Sequence, residues 1–104
     1  MSFNLYSSTG ERARLIAGLR ALAEFIESSP DVPAPGRADV MVFPPAGTNA
    51  EMCAEIDSIA SRIGGQAHWT GGGHYTVSRW FGPVEYRAVA IPKDNDSGES
   101  EEEK

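Results

Sequence analysis

Cysteine is nearly absent from this chain of 104 residues, which contains Cys53 alone. A single cysteine excludes an internal disulfide, so a packed core has to stabilise the fold. No apolar run approaches the roughly 20 residues that a membrane-spanning helix needs. The N-terminus has no charged start followed by an apolar stretch, so we expect no secretory signal. These absences favour a soluble cytoplasmic protein that does not contact a membrane.

Lysine is absent from residues 1–92, whose seven basic residues are all arginines opposed by nine acids. The formal net charge of −6 therefore comes mostly from residues 93–104, which hold six acids and two lysines. A nearly neutral body argues against a broad basic surface for nucleic acid. Beyond Pro92 the chain has no apolar residue. We predict one domain over 1–92 and a disordered acidic tail over 93–104, either a solubility tail or an arm for a basic partner.

Two segments repeat apolar residues at the spacing of an amphipathic helix. The first stripe consists of Leu15, Leu19, Leu22 and Ile26, and the second of Met52, Ile56, Ile59 and Ile63. Ser8 with Glu11 and Thr48 with Glu51 have the capping-box spacing that starts a helix. Pro30 ends the first segment and Gly64 the second. We predict helices over about 10–28 and 49–63.

The remaining patterned segments have the composition of β-strands. Residues 38–43 (ADVMVF) form a short apolar run cut off by Pro44, which is typical of a buried strand. Residues 66–70, 74–81 and 84–91 are separated by Gly71–Gly73 and by Gly82-Pro83. These turn signals predict a three-stranded antiparallel meander. The alternation along its strands does not tell which face is buried.

The predicted element order is αβαβββ. A strand, helix 49–63 and the next strand normally form a right-handed crossover to a parallel neighbour. Each helix has one apolar stripe that needs a cover. We therefore expect an α+β fold, a two-layer sandwich with two helices packed on one face of a four-stranded mixed sheet. The other face is expected to be at least partly open.

Motifs for catalysis, metals and phosphate are weak. His68 and His74 flank the glycine turn, but a metal needs further ligands, and the chain has no Cys-x-x-Cys or His-Glu-x-x-His pattern. The glycine run precedes a strand, whereas a phosphate loop precedes a helix. Cys53 lies within a predicted helix, where a cysteine is usually a small apolar filler. We expect no catalytic residue, no metal and no cofactor, and therefore no enzyme.

The aromatic meander is the best candidate for a binding surface, because large rings beside polar groups often mark interfaces. The residues expected to contact a protein partner are Trp69, His74, Tyr75, Arg79, Trp80 and Arg87. This pattern favours a small non-catalytic protein-interaction module, accessory or regulatory in role, whose partner is another protein or a second copy. The alternative is a weak single-stranded nucleic-acid binder that stacks bases on Tyr75 and Trp80 and pairs phosphates with Arg79 and Arg87.

Three stretches carry a resemblance. They are LIAGLRALAEFIESSPDVP (15–33), VFPPAGTNAE (42–51) and WTGGGHYTVSRWFGPVEYRAVAIP (69–92). Together they resemble short uncharacterised proteins of actinobacteria and of their phages and mobile elements. The resemblance implies a source and a shared fold over most of the chain. It implies no active-site residue.

Overall fold

The computed structural model describes residues 6–93. The elements are α1 (Thr9–Ser28), β1 (Ala38–Val42), α2 (Asn49–Ile63), β2 (His68–Trp69), β3 (Tyr75–Phe81) and β4 (Val84–Ala90). The predicted α+β class and the order αβαβββ are confirmed. Within this range neither helix has the length and apolar character needed to cross a membrane.

The predicted tail lies, apart from its first residue, outside the described residues. Lys93 itself is held in place: its backbone N–H donates to Oδ1 of Asn49, and its carbonyl accepts from Nδ2 of Asn49, both at 2.9 Å. Lys93, which the sequence analysis assigned to the tail, is therefore hydrogen-bonded to α2.

The chain divides into two compact units, Met1–Gly36 and Arg37–Lys104. The first contains α1, which starts with the predicted capping box of Ser8 and Glu11. None of the 20 residues of α1 is buried, and its large apolar side chains are 40–52% exposed. The stripe of α1 is therefore not buried within its own unit, since spacing shows that a stripe exists and not what covers it. The single domain over 1–92 stays a prediction.

The second unit is built on a mixed sheet with the strand order β1-β4-β3-β2. The predicted antiparallel meander is confirmed in the pairing of β2 with β3 and of β3 with β4. The neighbour predicted for β1 is wrong: β1 pairs in parallel with β4, with Val40 beside Tyr86. The reason is strand length: β1 has five residues, β2 is too short to pair with all of them because it has two, and β4 has seven.

Helix α2 covers one face of this sheet. Its buried residues are Met52, Ile56, Ile59 and Ala60, and they pack with Val77, Ala88 and Ala90 of the central strands. The predicted capping box of Thr48 and Glu51 is present. Gly64 ends the helix at φ 71°, a left-handed conformation that glycine adopts without steric cost. Three residues of the predicted stripe, Met52, Ile56 and Ile59, thus belong to the buried core, and the fourth, Ile63, packs against it partly buried.

Candidate functional site

The strand registers sort the meander residues onto two faces. Tyr75 and Val77 lie on the face that α2 covers, because both pack with its core. Cross-strand partners share a face, and the opposite set pairs Ser78 with Arg87, Trp80 with Glu85 and Asp39 with Glu85. We call the side of the sheet opposite α2 the far face. It is defined by Asp39, Met41, Ser78, Trp80, Glu85 and Arg87.

A buried carboxylate lies at the centre of the far face. The Glu85 side chain is 3% exposed. Its Oε1 accepts from Nη2 of Arg37 at 3.2 Å, and its Oε2 accepts from the hydroxyl of Ser78. Nε of Arg87 lies 3.4 Å from Oε2. A buried carboxylate is costly unless it is paired and hydrogen-bonded, and these three side chains supply that pairing.

Arg37 links this carboxylate to the surface. Its Nη2 also donates to Oδ1 of Asp39 at 3.0 Å, and its guanidinium lies 5.2 Å from the ring centroid of Trp80. The hydrogen bond to Asp39, together with the negative charges of Asp39 and Glu85, raises the pKa of Arg37. The side chain is nevertheless 59% exposed. Arg37 is therefore oriented by its contacts and still accessible.

Arg87 is positioned in a similar way. Its Nε is buried and makes no hydrogen bond among the described residues, although it lies 3.4 Å from Oε2 of Glu85. The side chain remains 37% exposed. Trp80 beside this pair is 50% exposed. Arginine and tryptophan are the residue types most enriched at the energetic centres of protein interfaces.

The side of the sheet next to α2 carries a different cluster. The hydroxyl of Tyr75 donates to Oδ1 of Asp57 on α2 at 2.6 Å, and its ring lies 4.8 Å from that of Trp69. The hydrogen bond to Asp57 raises the pKa of Tyr75, with smaller contributions from burial and nearby charge. Burial, and then the charge of Asp57, raises the pKa of the Cys53 thiol. This cluster fastens β3 to α2, and its thiol is protonated at neutral pH.

The six predicted contact residues therefore do not form one surface. Trp80 and Arg87 lie on the far face, and Tyr75 and Trp69 lie beside α2. Arg79 pairs with Tyr86, on the same side as α2, and its guanidinium lies 5.2 Å from the ring centroid of Phe81. The four residues of the nucleic-acid alternative are divided between the two faces in the same way.

His74, the sixth residue, belongs to the glycine turn. Its carbonyl accepts from the N–H of Thr70 at 2.8 Å, and its own N–H donates to the hydroxyl of Thr70 at 3.3 Å. The side chain is half-buried. The role of His74 that the structure shows is thus a structural one, since its backbone closes the turn. Within residues 6–93 no three His, Cys, Asp or Glu side chains are grouped closely enough to hold a metal ion.

The set predicted from the sequence leaves out five residues of the site: Arg37, Asp39, Met41, Ser78 and Glu85. A signal for Glu85 was present, because it lies between Val84 and Tyr86 inside a strand, where an acid needs a partner once the strand is central. Arg37 carried no comparable signal, since it stands 48 positions before Glu85.

Comparison with known proteins adds no further information on the site. No protein-family model, no curated protein and no solved structure matches the chain. The resemblance to short actinobacterial and phage proteins stays a prediction, and the residues of the far face carry the functional argument.

Proposed function

We propose that this chain is a small non-catalytic protein-interaction module that binds its partner through the far face, with Trp80 and Arg87 at the centre. The observation that carries the proposal is the buried Glu85 carboxylate, which pairs with both Arg37 and Arg87, while Arg37 also lies 5.2 Å from the ring centroid of the half-exposed Trp80. Side chains that are already ordered lose little entropy on binding. The polar network on the far face is therefore pre-organised for binding.

The chemistry of the surface defines the partner. A guanidinium has five N–H donors, and the contacts to Asp39 and Glu85 engage Nη2 of Arg37 and Nε of Arg87. The remaining exposed donors fit carboxylate or carbonyl acceptors, and the ring of Trp80 and the 43% exposed Met41 fit apolar side chains. We therefore propose a protein partner that presents an acidic or carbonyl group within an apolar patch.

Charge favours a protein over nucleic acid as this partner. Binding to phosphates depends on an excess of positive charge. On the far face Arg37 and Arg87 are balanced by Asp39 and Glu85, all four within one network of ion pairs. Arg79, which the nucleic-acid alternative requires, is on the other side of the sheet. We place the module in the cytoplasm of an actinobacterium or of a cell infected by its phage, a setting in which the free thiol of Cys53 stays reduced.

The test starts from a photo-crosslinking amino acid at position 41, which lies beside Arg87 in the sheet register. A protein crosslinked in the producing cells is purified, and its affinity for the full chain is measured by calorimetry. We expect Trp80→Ala and Arg87→Ala each to weaken binding by about tenfold or more. Trp69→Ala is the matched control, because this tryptophan is 57% exposed and lies on the other side. It should leave the affinity unchanged.

Two results would overturn the proposal. In the first, the captured protein binds Trp80→Ala and Arg87→Ala as tightly as the unchanged chain. In the second, the chain binds a fluorescent oligothymidylate at low salt, and Arg79→Ala weakens this binding as much as Arg87→Ala does. The second result would establish the nucleic-acid alternative.

A further inference from the structure

Strand β1 forms one edge of the sheet, and its outer backbone groups have no strand beside them among residues 37–93. In the order β1-β4-β3-β2 its one neighbour is β4. The N–H of Ala38 donates to the carbonyl of Pro83 at 3.2 Å, which fixes the phase of the parallel ladder between the two strands. Alternate residues of a strand turn their N–H and C=O groups to the same side. Those of Asp39 and Met41 therefore point away from β4.

A row of outward backbone groups determines what kind of segment can bind it. Along an edge strand the donors and acceptors are spaced for the ladder of another extended chain. A helix cannot supply such a ladder, because its own N–H and C=O groups are bonded within the helix. The occupant that fits the outer side of β1 is therefore an extended segment.

The two edges of the sheet differ in how they are protected against pairing. Strand β2 has two residues, and a very short edge strand is a poor template for another chain. Strand β1 has five residues and contains neither proline nor lysine, which commonly block an edge. Its one charged residue, Asp39, lies 3.0 Å from Nη2 of Arg37 and is thus neutralised. Strand β1 is therefore the edge that is open to a further strand.

We propose that two copies of this chain join edge to edge through β1, antiparallel, about a two-fold axis at Val40. The occupant of the edge is thus a second copy, and the two sheets continue into each other. A two-fold axis normal to the sheet reverses the strand and keeps the far faces of both copies on the same side. This pairing does not rest on the far-face proposal, because it uses the backbone of β1.

The axis at Val40 follows from matching the outward groups of the two strands. All five residues of β1 then lie opposite the five of the other copy. Asp39 of one copy and Met41 of the other exchange both N–H···O bonds, and the symmetric pair does the same. Val40 faces Val40 as a non-hydrogen-bonded pair between them. Every outward N–H and C=O of the strand is satisfied in this register.

The side chains fit the same register. Val40 paired with Val40 is a β-branched cross-strand pair, which suits a sheet. Met41 and Phe43 are 43% and 51% exposed, and both come beside residues of the second copy. Just beyond the strand ends, Phe43 lies opposite Arg37 of the other copy, which brings a guanidinium to an exposed ring. The pairing therefore covers two exposed apolar side chains.

Neighbouring registers fit less well. An axis at Asp39 would set the two Asp39 carboxylates directly opposite each other, and like charges in that position are destabilising. An axis at Met41 would set Ala38 opposite Pro44, beyond the end of the strand. A strand of a different protein is another occupant for this edge. The second copy is favoured over it because one register of the same sequence meets the length, backbone and charge conditions together.

The first test is sedimentation equilibrium of the full chain from about 1 to 500 µM, a range around the micromolar affinity expected for a small interface. We expect the mass to rise from 11.2 kDa toward twice that value. Met41→Pro removes an outward N–H that the ladder with β4 does not use, and this variant should stay monomeric. Met41→Ala is the matched control, because it shortens the side chain and keeps the N–H. It should still dimerise.

The comparison with the far-face proposal uses the same measurement. Trp80→Ala and Arg87→Ala should dimerise like the unchanged chain, so the two proposals fail separately. An unchanged chain that stays monomeric at about 500 µM would overturn the pairing. Equal dissociation constants for Met41→Pro and Met41→Ala would overturn it as well, because the outward N–H would then have no part in the contact.

A peptide of residues 36–44 is a probe that does not depend on the folding of a variant. Labelled with fluorescein, it should bind the unchanged chain, held at about 1 µM, and raise the fluorescence anisotropy. N-methylation of Met41 in the peptide blocks an N–H that faces β1, and it should weaken binding by about tenfold or more. N-methylation of Val40, whose N–H points away from β1 in this register, is the matched control and should have little effect. Equal effects of the two methyl groups would overturn the proposed ladder.

Register and direction are tested by engineered disulfides in a Cys53→Ser chain. In a non-hydrogen-bonded antiparallel pair the Cα atoms are about 4.5 Å apart, within the range that a disulfide spans. Val40→Cys should therefore crosslink with itself under air oxidation. Met41→Cys should give little, because it lies opposite Asp39 of the other copy. Equal crosslinking of both variants would show a parallel pair, and crosslinking of Met41→Cys alone would show another register. Either result would overturn the proposal.

Discussion

Nη2 of Arg37 lies 3.2 Å from Oε1 of Glu85, although 48 positions separate the two residues in the chain. The contact runs from the residue that precedes β1 to the second residue of β4, and the parallel register of these strands makes it possible. Since Glu85 also accepts from Ser78 on β3, one carboxylate connects three strands on the far face. The same contacts that satisfy the buried charge also orient the residues proposed to bind a partner.

Glu85→Gln should therefore destabilise the second unit. The amide keeps the shape of the side chain but removes the charge that pairs with Arg37 and Arg87, and Nε of Arg87 is already short of a partner. We expect a loss of about 1–3 kcal/mol, below the value for a fully buried pair because both arginines reach solvent. Urea unfolding followed by tryptophan fluorescence measures it. Glu24→Gln, the same change on the exposed surface of α1, should have almost no effect.

The elements that the sequence predicted correctly depend on local signals. Ser8 and Glu11 are three residues apart, and so are Thr48 and Glu51, so each capping box is visible without knowledge of the fold. The meander follows from turns between consecutive strands. These contacts need no information about distant parts of the chain.

The elements that it missed depend on long-range pairing. The partner of β1 is decided by which strand edge is free and long enough, and that strand is the last one within residues 6–93. The position of Arg37 beside Glu85 follows from this pairing alone. The alternation along β3 already places Tyr75 and Trp80 on opposite faces of the sheet. Only the packing of α2 on the side of Tyr75 shows which of the two faces is covered.

Alkaline pH should weaken the attachment of β3 to α2. The hydrogen bond to Asp57 raises the pKa of Tyr75, which means that the folded state favours the neutral phenol. Its contribution to stability is complete below about pH 10, the pKa of an unfolded tyrosine, and is lost as the pH rises through the higher folded value. The urea midpoint should therefore fall more steeply above that pH in the unchanged chain than in Tyr75→Phe. Equal slopes for the two chains would contradict this assignment.

The Cys53 thiol should react slowly with alkylating reagents. Burial and the negative charge of Asp57 raise its pKa, and the thiolate is the reactive form. Alkylation by iodoacetamide at neutral pH should be slower in the folded chain than in urea. Asp57→Asn removes the nearby charge and should increase the folded rate, whereas Asp31→Asn, in the other unit, should not. A folded rate equal to that in urea would show that the thiol is freely accessible.

Gly65 should be the least replaceable glycine of the second unit for reasons of packing. A Cβ at this position would lie 2.9 Å from Cγ2 of Val77, which is fully buried and cannot move without disturbing the core. We expect Gly65→Ala to cost about 1–3 kcal/mol, the range for overfilling a packed core. Gly72→Ala is the matched control, because its Cβ meets no heavy atom within 4 Å and its φ is not positive. Urea unfolding of the two variants side by side measures the difference, and equal midpoints would show that the close approach of residues 65 and 77 does not constrain the fold.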